Sequence, residues 1–277
     1  MTPGTSAGGL IPFDEDTLWA TVVGQEAAVA LLRTAACSPV HAYLLVGPPG
    51  AGRGEAARAF AGSLFASGVP DGPDSPSASR HRRLSAIGHH PDLLEVEPEG
   101  RSLLVADAKG ITVEGWRSPV EAAHKVVVVD RFDTAEPEAV ASLLKTIEEP
   151  PATAVFLLLS EEVPDSHITV ASRCVRVDLP PLTDEVVSEA LKADGVPSDR
   201  ATELAEAAGR SAADTEAWLF RQREAPGPGM PTGIAPMDLK ASPRTRPETR
   251  TLSPLKSSSL FSGLWENNPI EPAEKIR

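Results

Sequence analysis

Cysteine is nearly absent from this chain of 277 residues, which contains only Cys37 and Cys174. Two cysteines exclude a disulfide framework and a zinc site built from four cysteines. Long apolar segments are missing as well. No run of 18 apolar residues is present, and the N-terminus has no basic segment followed by an apolar one. These absences predict a reduced, cytoplasmic protein without a membrane anchor.

Positive charge is also scarce. Asp and Glu outnumber Lys and Arg by 39 to 26, and the net charge is −13. This balance argues against a broad basic surface that holds DNA unaided. Any role on DNA has to come through partners or a local patch. The hydrophobic fraction of 41% and the charged fraction of 23% are typical of a globular protein with a substantial core.

The composition divides the chain into four predicted parts. Residues 1–18 are rich in Gly, Pro and Thr and are predicted to be a flexible leader. Residues 19–180 alternate apolar runs with helical patterns, which predicts a parallel α/β domain. The predicted strands are 42–46, 93–97, 126–129, 155–159 and 175–179. A helix is predicted over 137–148, and a flexible excursion over 69–83. Residues 181–224 read as a small helical lid domain, with helices predicted at 183–193, 199–208 and 212–223 and Thr183 as the N-cap of the first. Residues 225–277 have no helical or strand periodicity and are predicted to be a disordered tail.

A glycine-rich loop is the most informative pattern of the α/β domain. It follows the apolar run Ala42–Val46 and opens a helical run, the context in which backbone N–H groups and a helix N-terminus bind phosphates. The predicted nucleotide-binding residues of this loop are Gly47, Pro48, Pro49, Gly50, Ala51, Gly52, Arg53 and Gly54.

Two of these residues depart from the usual chemistry. Arg53 stands where the pattern has Lys, and its planar guanidinium does not replace a compact ammonium. Gly54 stands where the pattern has Ser or Thr, so it offers Mg²⁺ no oxygen. The sequence predicts a phosphate loop that hydrolyses nucleotide poorly or not at all.

An acidic residue ends the next apolar run. Asp130 follows Val126–Val129, in the position of a carboxylate that reaches Mg²⁺ through water. An ordinary strand-end acid that begins a turn is the alternative interpretation, and the nearby phosphate loop favours the functional one. Arg131 then occupies the place of a general base, and a cation cannot accept a proton from water.

Three segments together carry a family resemblance. These are His41–Leu45 leading into Gly47, the run Leu143–Pro151 with the sequence LLKTIEEPP, and Ser172-Arg173-Cys174. Over about residues 19–220 the chain resembles the bacterial clamp-loader subunits of the AAA+ superfamily, most closely the delta-prime subunits of DNA polymerase III. The resemblance implies a P-loop AAA+ core with a helical lid.

The resemblance also implies roles for single residues. Arg173 would be an arginine finger, acting in trans on ATP held by a neighbouring motor subunit. Cys174 reads as a small buried hydrophobe. Ser160 sits where related ATPases place a residue that senses the γ-phosphate, although a serine is equally common where a strand ends. Val22–Gln25 matches the segment near the adenine pocket, and a simple helix entry is the alternative.

The chain departs from the family in two further places. Residues 69–90 contain no cysteine of the usual zinc module, and His81, His89 and His90 do not make a site of the usual kind, so no zinc is predicted. Residues 225–277 do not resemble the helical collar that joins the family's subunits into a ring. The expectation is a chain without a collar domain.

Two functions remain as hypotheses. The first is a catalytically silent clamp-loader subunit of the DNA polymerase III holoenzyme. It would contact motor and delta subunits and the sliding clamp, and primer-template DNA indirectly. ATP binding would be weak or vestigial. The alternative is an active AAA+ ATPase, either a motor-type subunit or another ATPase linked to DNA.

Overall fold

Five parallel strands form the centre of the fold. They are β1 (Ala42–Val46), β2 (Leu93–Val96), β3 (Lys125–Val129), β4 (Ala154–Ser160) and β5 (Val175–Asp178). Their order across the sheet is β2-β3-β4-β1-β5. All residues of β1, β3 and β4 are buried, as their continuous apolar sequences predict for strands covered on both faces.

The computed structural model describes residues 13–98, 100–193 and 195–208. These residues form nine α-helices: α1 (Glu15–Trp19), α2 (Glu26–Cys37), α3 (Arg53–Ser67), α4 (Pro76–Ala86), α5 (Val105–Gly115), α6 (Pro137–Glu148), α7 (Ile168–Ala171), α8 (Asp184–Ala193) and α9 (Ser198–Ala208). None of the helices in this part of the chain is long and apolar enough to cross a membrane.

Alternate residues of each strand enter different hydrophobic clusters, one on each face of the sheet. Tyr43 and Leu45 of β1 pack in the cluster that contains Phe60 of α3. Leu44 and Val46 pack in the other cluster, with side chains of α5 and α6. The period of two along a strand therefore joins both helical layers to one sheet.

Two segments predicted to be irregular are helical. Residues 69–83 read as a flexible excursion, but α4 begins in them, with Ser75 accepting a hydrogen bond from the Ala78 N–H at 3.1 Å and Pro76 in the first turn. The predicted leader is wrong at its C-terminal end, because α1 forms there and Leu18 is fully buried. Residues 1–12 lie outside the described residues.

The helical segment after the sheet begins as the sequence predicts. Thr183 accepts a hydrogen bond from the Val186 N–H at 3.4 Å, at the start of α8. The division between residues 19–180 and 181–224 stays a prediction. The third lid helix, predicted at 212–223, and the tail 225–277 lie outside the described residues.

Candidate functional site

The glycine-rich loop connects the end of β1 to the start of α3. Gly50 and Gly52 have φ angles of +82° and +84°, in the left-handed region where glycine is at no disadvantage. Gly47 donates its N–H to the carbonyl of Ser160 at 3.1 Å, which ties the loop to the end of β4. Helix α3 begins at Arg53, so its free N–H groups and its positive end lie at the loop.

Arg53 brings a buried charge to this loop. The residue is 6% exposed, and within the described residues its Nε and Nη1 have no hydrogen-bond partner. A buried guanidinium keeps its charge and costs free energy until an acceptor satisfies its N–H groups. Together with the glycine turns, this orphaned cation fits a phosphate group.

Gly54 does not fit a bound metal. A Cβ placed on this residue would meet no atom within 4 Å, so the space for a hydroxyl is present but the oxygen is not. Mg²⁺ bound at a phosphate loop is normally held by a Ser or Thr at this position. The loop therefore fits the phosphates of a nucleotide better than it fits their metal ion.

Gln25 connects the loop to the segment after β5. Its Nε2 donates to the carbonyls of Ala51 at 3.0 Å and of Pro180 at 2.7 Å. The residue is 2% exposed, and its Oε1 has no partner within the described residues. The sequence singled out only the segment Val22–Gln25; the bridging role of this amide was not visible because its two acceptors lie far along the chain.

Asp130 and Arg131 directly follow β3, so they lie at the same end of the parallel strands as the loop. The Asp130 carboxylate accepts the N–H of Arg131 at 2.8 Å. Arg131 has a φ of +47°, uncommon for a residue other than glycine. Its Nη2 donates to the carbonyls of Pro98 and Gly100, at 2.8 and 2.6 Å. The side chain at the predicted general-base position is thus held by the loop after β2.

Ser160 is 1% exposed, and its hydroxyl donates to the carbonyl of Glu162. Its backbone carbonyl accepts the Gly47 N–H. Both contacts are those of a residue that ends a strand and begins a turn. A role in sensing the γ-phosphate stays a prediction.

Arg173 lies at the opposite end of the parallel strands from the loop. It precedes β5, and Val175, the first residue of β5, is in register with Tyr43 near the start of β1. Gly47 follows the other end of β1, and a five-residue strand is about 16 Å long. Because β1 and β5 are parallel, Arg173 lies near the N-terminal ends of these strands, whereas the loop of the same chain follows the C-terminal end of β1.

The Arg173 guanidinium has partners on its own chain. Its Nη2 lies 2.6 Å from Oε1 of Glu148, and its Nη1 donates to the carbonyl of Thr169 at 2.6 Å. The side chain remains 40% exposed. The neighbouring Cys174 is half-buried, and burial raises the pKa of its thiol to about 12, as expected for a packing residue.

Two of the three histidines that the sequence analysis did not expect to bind zinc form a buried pair beside α3. His81 Nδ1 lies 2.6 Å from His90 Nε2, and the Asp92 N–H donates to His90 Nδ1 at 3.0 Å. The neutral His90 must therefore carry its proton on Nε2 and donate it to His81. The facing nitrogens of the two rings are hydrogen-bonded to each other. The carboxylate of the nearby Glu121 accepts a hydrogen bond from Arg80. These three side chains therefore do not fit a metal ion. The absence of zinc stays a prediction.

Comparison with known proteins places these features in a family. The family model described as DNA polymerase III, delta subunit, matches residues 24–183. DNA polymerase III subunit delta' of Bacillus subtilis is 30% identical over 151 residues, covering 54% of this chain and 45% of that protein. Subunit delta' of Pseudomonas aeruginosa is 32% identical over 145 residues, covering 50% and 43%. The chain thus spans less than half the length of these relatives.

A solved structure is also similar. The DNA polymerase III gamma subunit-related protein of Thermotoga maritima shares 21% identity at a TM-score of 0.41, with 63% of this chain and 57% of that chain covered. The predicted parallel α/β sheet is confirmed by the five parallel strands and the helices between them. The family match covers more than half of the chain and includes the loop, Asp130 and Arg173. The chain therefore belongs to the DNA polymerase III delta subunit family and is delta-prime-like.

Proposed function

We propose that the chain is a clamp-loader subunit similar to delta-prime, which completes the loader ring and supplies Arg173 in trans to ATP held by a neighbouring motor subunit. The position of Arg173 is the observation that supports this proposal. It stands at the end of the strands opposite to its own phosphate loop, and this position supports a role on a nucleotide that another chain holds.

Hydrolysis by the chain itself is proposed to be slight or absent. Gly54 supplies no oxygen for Mg²⁺, and Arg131 supplies a cation where a base is needed. The side chain of Arg131 is bound to two backbone carbonyls after β2, so it is not a loose group that another residue could displace at low cost. The two defects affect different parts of the same reaction.

The proposed partners follow from the family. They are the motor and delta subunits of the loader and the sliding clamp, in the bacterial cytoplasm. Primer-template DNA is proposed as an indirect partner, because the net charge of −13 opposes binding of DNA by this chain alone. ATP is proposed as a weak or vestigial ligand of the loop.

An active ATPase is the second candidate. The positive-φ glycines, the orphaned Arg53 and the carboxylate of Asp130 favour it, because they are the parts that hold a nucleotide. Turnover by the isolated chain separates the two candidates. The silent subunit shows none, whereas an ATPase requires Mg²⁺-dependent turnover.

The deciding experiment is the DNA- and clamp-stimulated ATPase rate of a loader reconstituted with its own partner subunits. We compare wild type, Arg173→Ala and Arg176→Ala, the last being a matched control on β5 that pairs with Asp178. An arginine finger contributes roughly 10³–10⁵-fold at its site. Arg173→Ala should therefore remove the share of the rate that this site contributes, and Arg176→Ala should not. An unchanged rate in an intact Arg173→Ala complex would reject the trans-acting role.

A further inference from the structure

We propose that Glu148 is the positioning residue of Arg173: its carboxylate holds the guanidinium in the orientation from which it meets the phosphoryl group of the neighbouring subunit. This inference rests on the proposed function. It starts from a contact between two segments that are distant in sequence, the end of α6 and the residue pair after α7, at 2.6 Å between Glu148 Oε1 and Arg173 Nη2.

The backbones that carry the two side chains are fixed by the core. Ile147 of α6 and Val170 of α7 are both buried in the same hydrophobic cluster. Packed helices of this kind hold their surface residues in a constant relation. The ion pair therefore joins two rigid elements, and it limits only the side-chain freedom of Arg173.

The guanidinium lies at the C-terminal end of α6, beside a carbonyl of the short helix α7. Glu148 is the last residue of α6, and the Thr169 carbonyl that accepts from Arg173 Nη1 belongs to the short helix α7. Carbonyls at a helix C-terminus favour a cation. The carboxylate adds a full negative charge to this position, so the cation is held by charge on one side and by a carbonyl on the other.

The remaining donors of Arg173 are suited to a phosphate. A guanidinium has five N–H groups. Within the described residues, Nη2 forms an ion pair with Glu148, and Nη1 donates to the Thr169 carbonyl and, at 3.4 Å, to Ser172 Oγ. Nε has no acceptor among the residues that the structure describes. It can therefore donate to a phosphate oxygen in a charge-assisted hydrogen bond.

The exposure of the pair allows this engagement. The side chains of Arg173 and Glu148 are 40% and 42% exposed, so a phosphoryl group can approach the guanidinium. Orienting the guanidinium before the subunits meet avoids the loss of rotamer freedom at the moment of reaction. Glu148 thereby acts on the rate through Arg173 and touches no reacting atom.

The test uses the reconstituted loader and separates kcat from KM for ATP. Glu148→Ala should lower the kcat contributed by this site by about tenfold, since small misplacements of a positioned group cost up to roughly 10²-fold. The KM should stay within about twofold. Glu148→Gln keeps an acceptor oxygen and should retain most of the rate. Glu149→Ala is the matched control, because it removes a carboxylate from the next residue, which is also exposed.

A double-mutant cycle identifies the route of the effect. In the Arg173→Ala background, Glu148→Ala should have no further effect, because Glu148 acts only through Arg173. An intact Glu148→Ala complex with unchanged kcat, or a loss of equal size in the Arg173→Ala background, would overturn the proposal. If Glu148→Ala fails to assemble, Glu148→Asp replaces it, with a carboxylate drawn back by one methylene and an expected loss of roughly threefold in kcat; an unchanged kcat would again overturn the inference. Failure of the proposed function is distinct, since it appears as an unchanged rate in the single variant Arg173→Ala.

Discussion

The carbonyl oxygen of Leu179 lies 2.3 Å from the position that a Cβ would take on Gly47. The N–H of Leu179 also donates to the carbonyl of Val46, at 2.7 Å. The first residue of the phosphate loop is thus enclosed by the backbone that follows β5. A backbone atom cannot rotate away from an added methyl group, so only glycine fits this position without a shift of the backbone after β5.

Gly47→Ala should destabilise the fold by about 1–3 kcal/mol, the usual cost of overpacking. Gly54→Ala is the control, because its added Cβ meets no atom within 4 Å and lies in α3. That second change should stabilise by up to about 1 kcal/mol, as alanine does relative to glycine in a helix. Urea unfolding without nucleotide measures both. Equal stabilities would contradict the close approach at Gly47.

ATP binding should be independent of Mg²⁺. Arg53 supplies the positive charge of the site, while Gly54 supplies no metal ligand. Calorimetric titration of the isolated chain should give affinities within about twofold in Mg²⁺ and in EDTA. Arg53→Ala should weaken binding by at least about tenfold, the equivalent of one charge-assisted hydrogen bond. Loss of wild-type binding in EDTA would show that another group holds the metal.

Restoring the loop alone should not restore hydrolysis. In Arg53→Lys with Gly54→Thr the metal ligand is present, but Arg131 still occupies the base position and still binds the carbonyls of Pro98 and Gly100. Phosphate release by this double variant should stay at the background level. Turnover above background would refute the claim that two separate defects silence the site.

The buried histidine pair should make the fold less stable in mild acid. Burial lowers the pKa of His90 to about 4, with His81 as a second cause, and burial also lowers the pKa of His81. The groups that face the pair are Arg80, Glu121 and Asp92. Below pH 6.5, His90 binds a proton in the unfolded chain but stays neutral in the folded chain. The contribution of His90 to the free energy of unfolding is therefore present above pH 6.5. It is lost as the pH falls toward 4, by about 1.4 kcal/mol per pH unit.

Urea unfolding between pH 7.5 and 5 measures this dependence while the carboxylates stay charged. His90→Gln should reduce the slope by about the share of one histidine. His89→Gln, a change at the exposed neighbouring residue, should leave the slope as it is. An unaltered slope in His90→Gln would mean that the pair titrates normally in the folded state.

The elements that the sequence predicted well are those with strong apolar periodicity. The five strands agree with their apolar runs to within about a residue at each end, and α6 has the predicted bounds of 137–148. Helix α4 was missed because its buried face consists of Ala78, His81, Arg82 and Ser85, which gives no apolar pattern. It packs on α3 beside Gly62, where a Cβ would stand 3.1 Å from that of Ser85.

The sequence predicted the single residues of the candidate site, but it did not predict the contacts between residues that are distant along the chain. The order of residues along the chain identified the loop, Asp130 and Arg173, because each follows a strand or belongs to a recognised motif. The contact of Arg173 with Glu148 depends on how two helices pack, and so does the attachment of Arg131 to the carbonyl of Pro98. Neither relation has a signature in local sequence.

The strand order also bears on how the chain folds as it leaves the ribosome. Strand β1 forms hydrogen bonds only with β4 and β5 within the described sheet, so its partners arrive with Ala154–Ser160 and Val175–Asp178. Synthesis proceeds at about 5–20 residues per second. For several seconds the apolar segment before the glycine-rich loop therefore has both edges unpaired in the nascent chain. Unpaired strand edges favour pairing with other chains, so this segment is open to association until β4 and β5 have emerged.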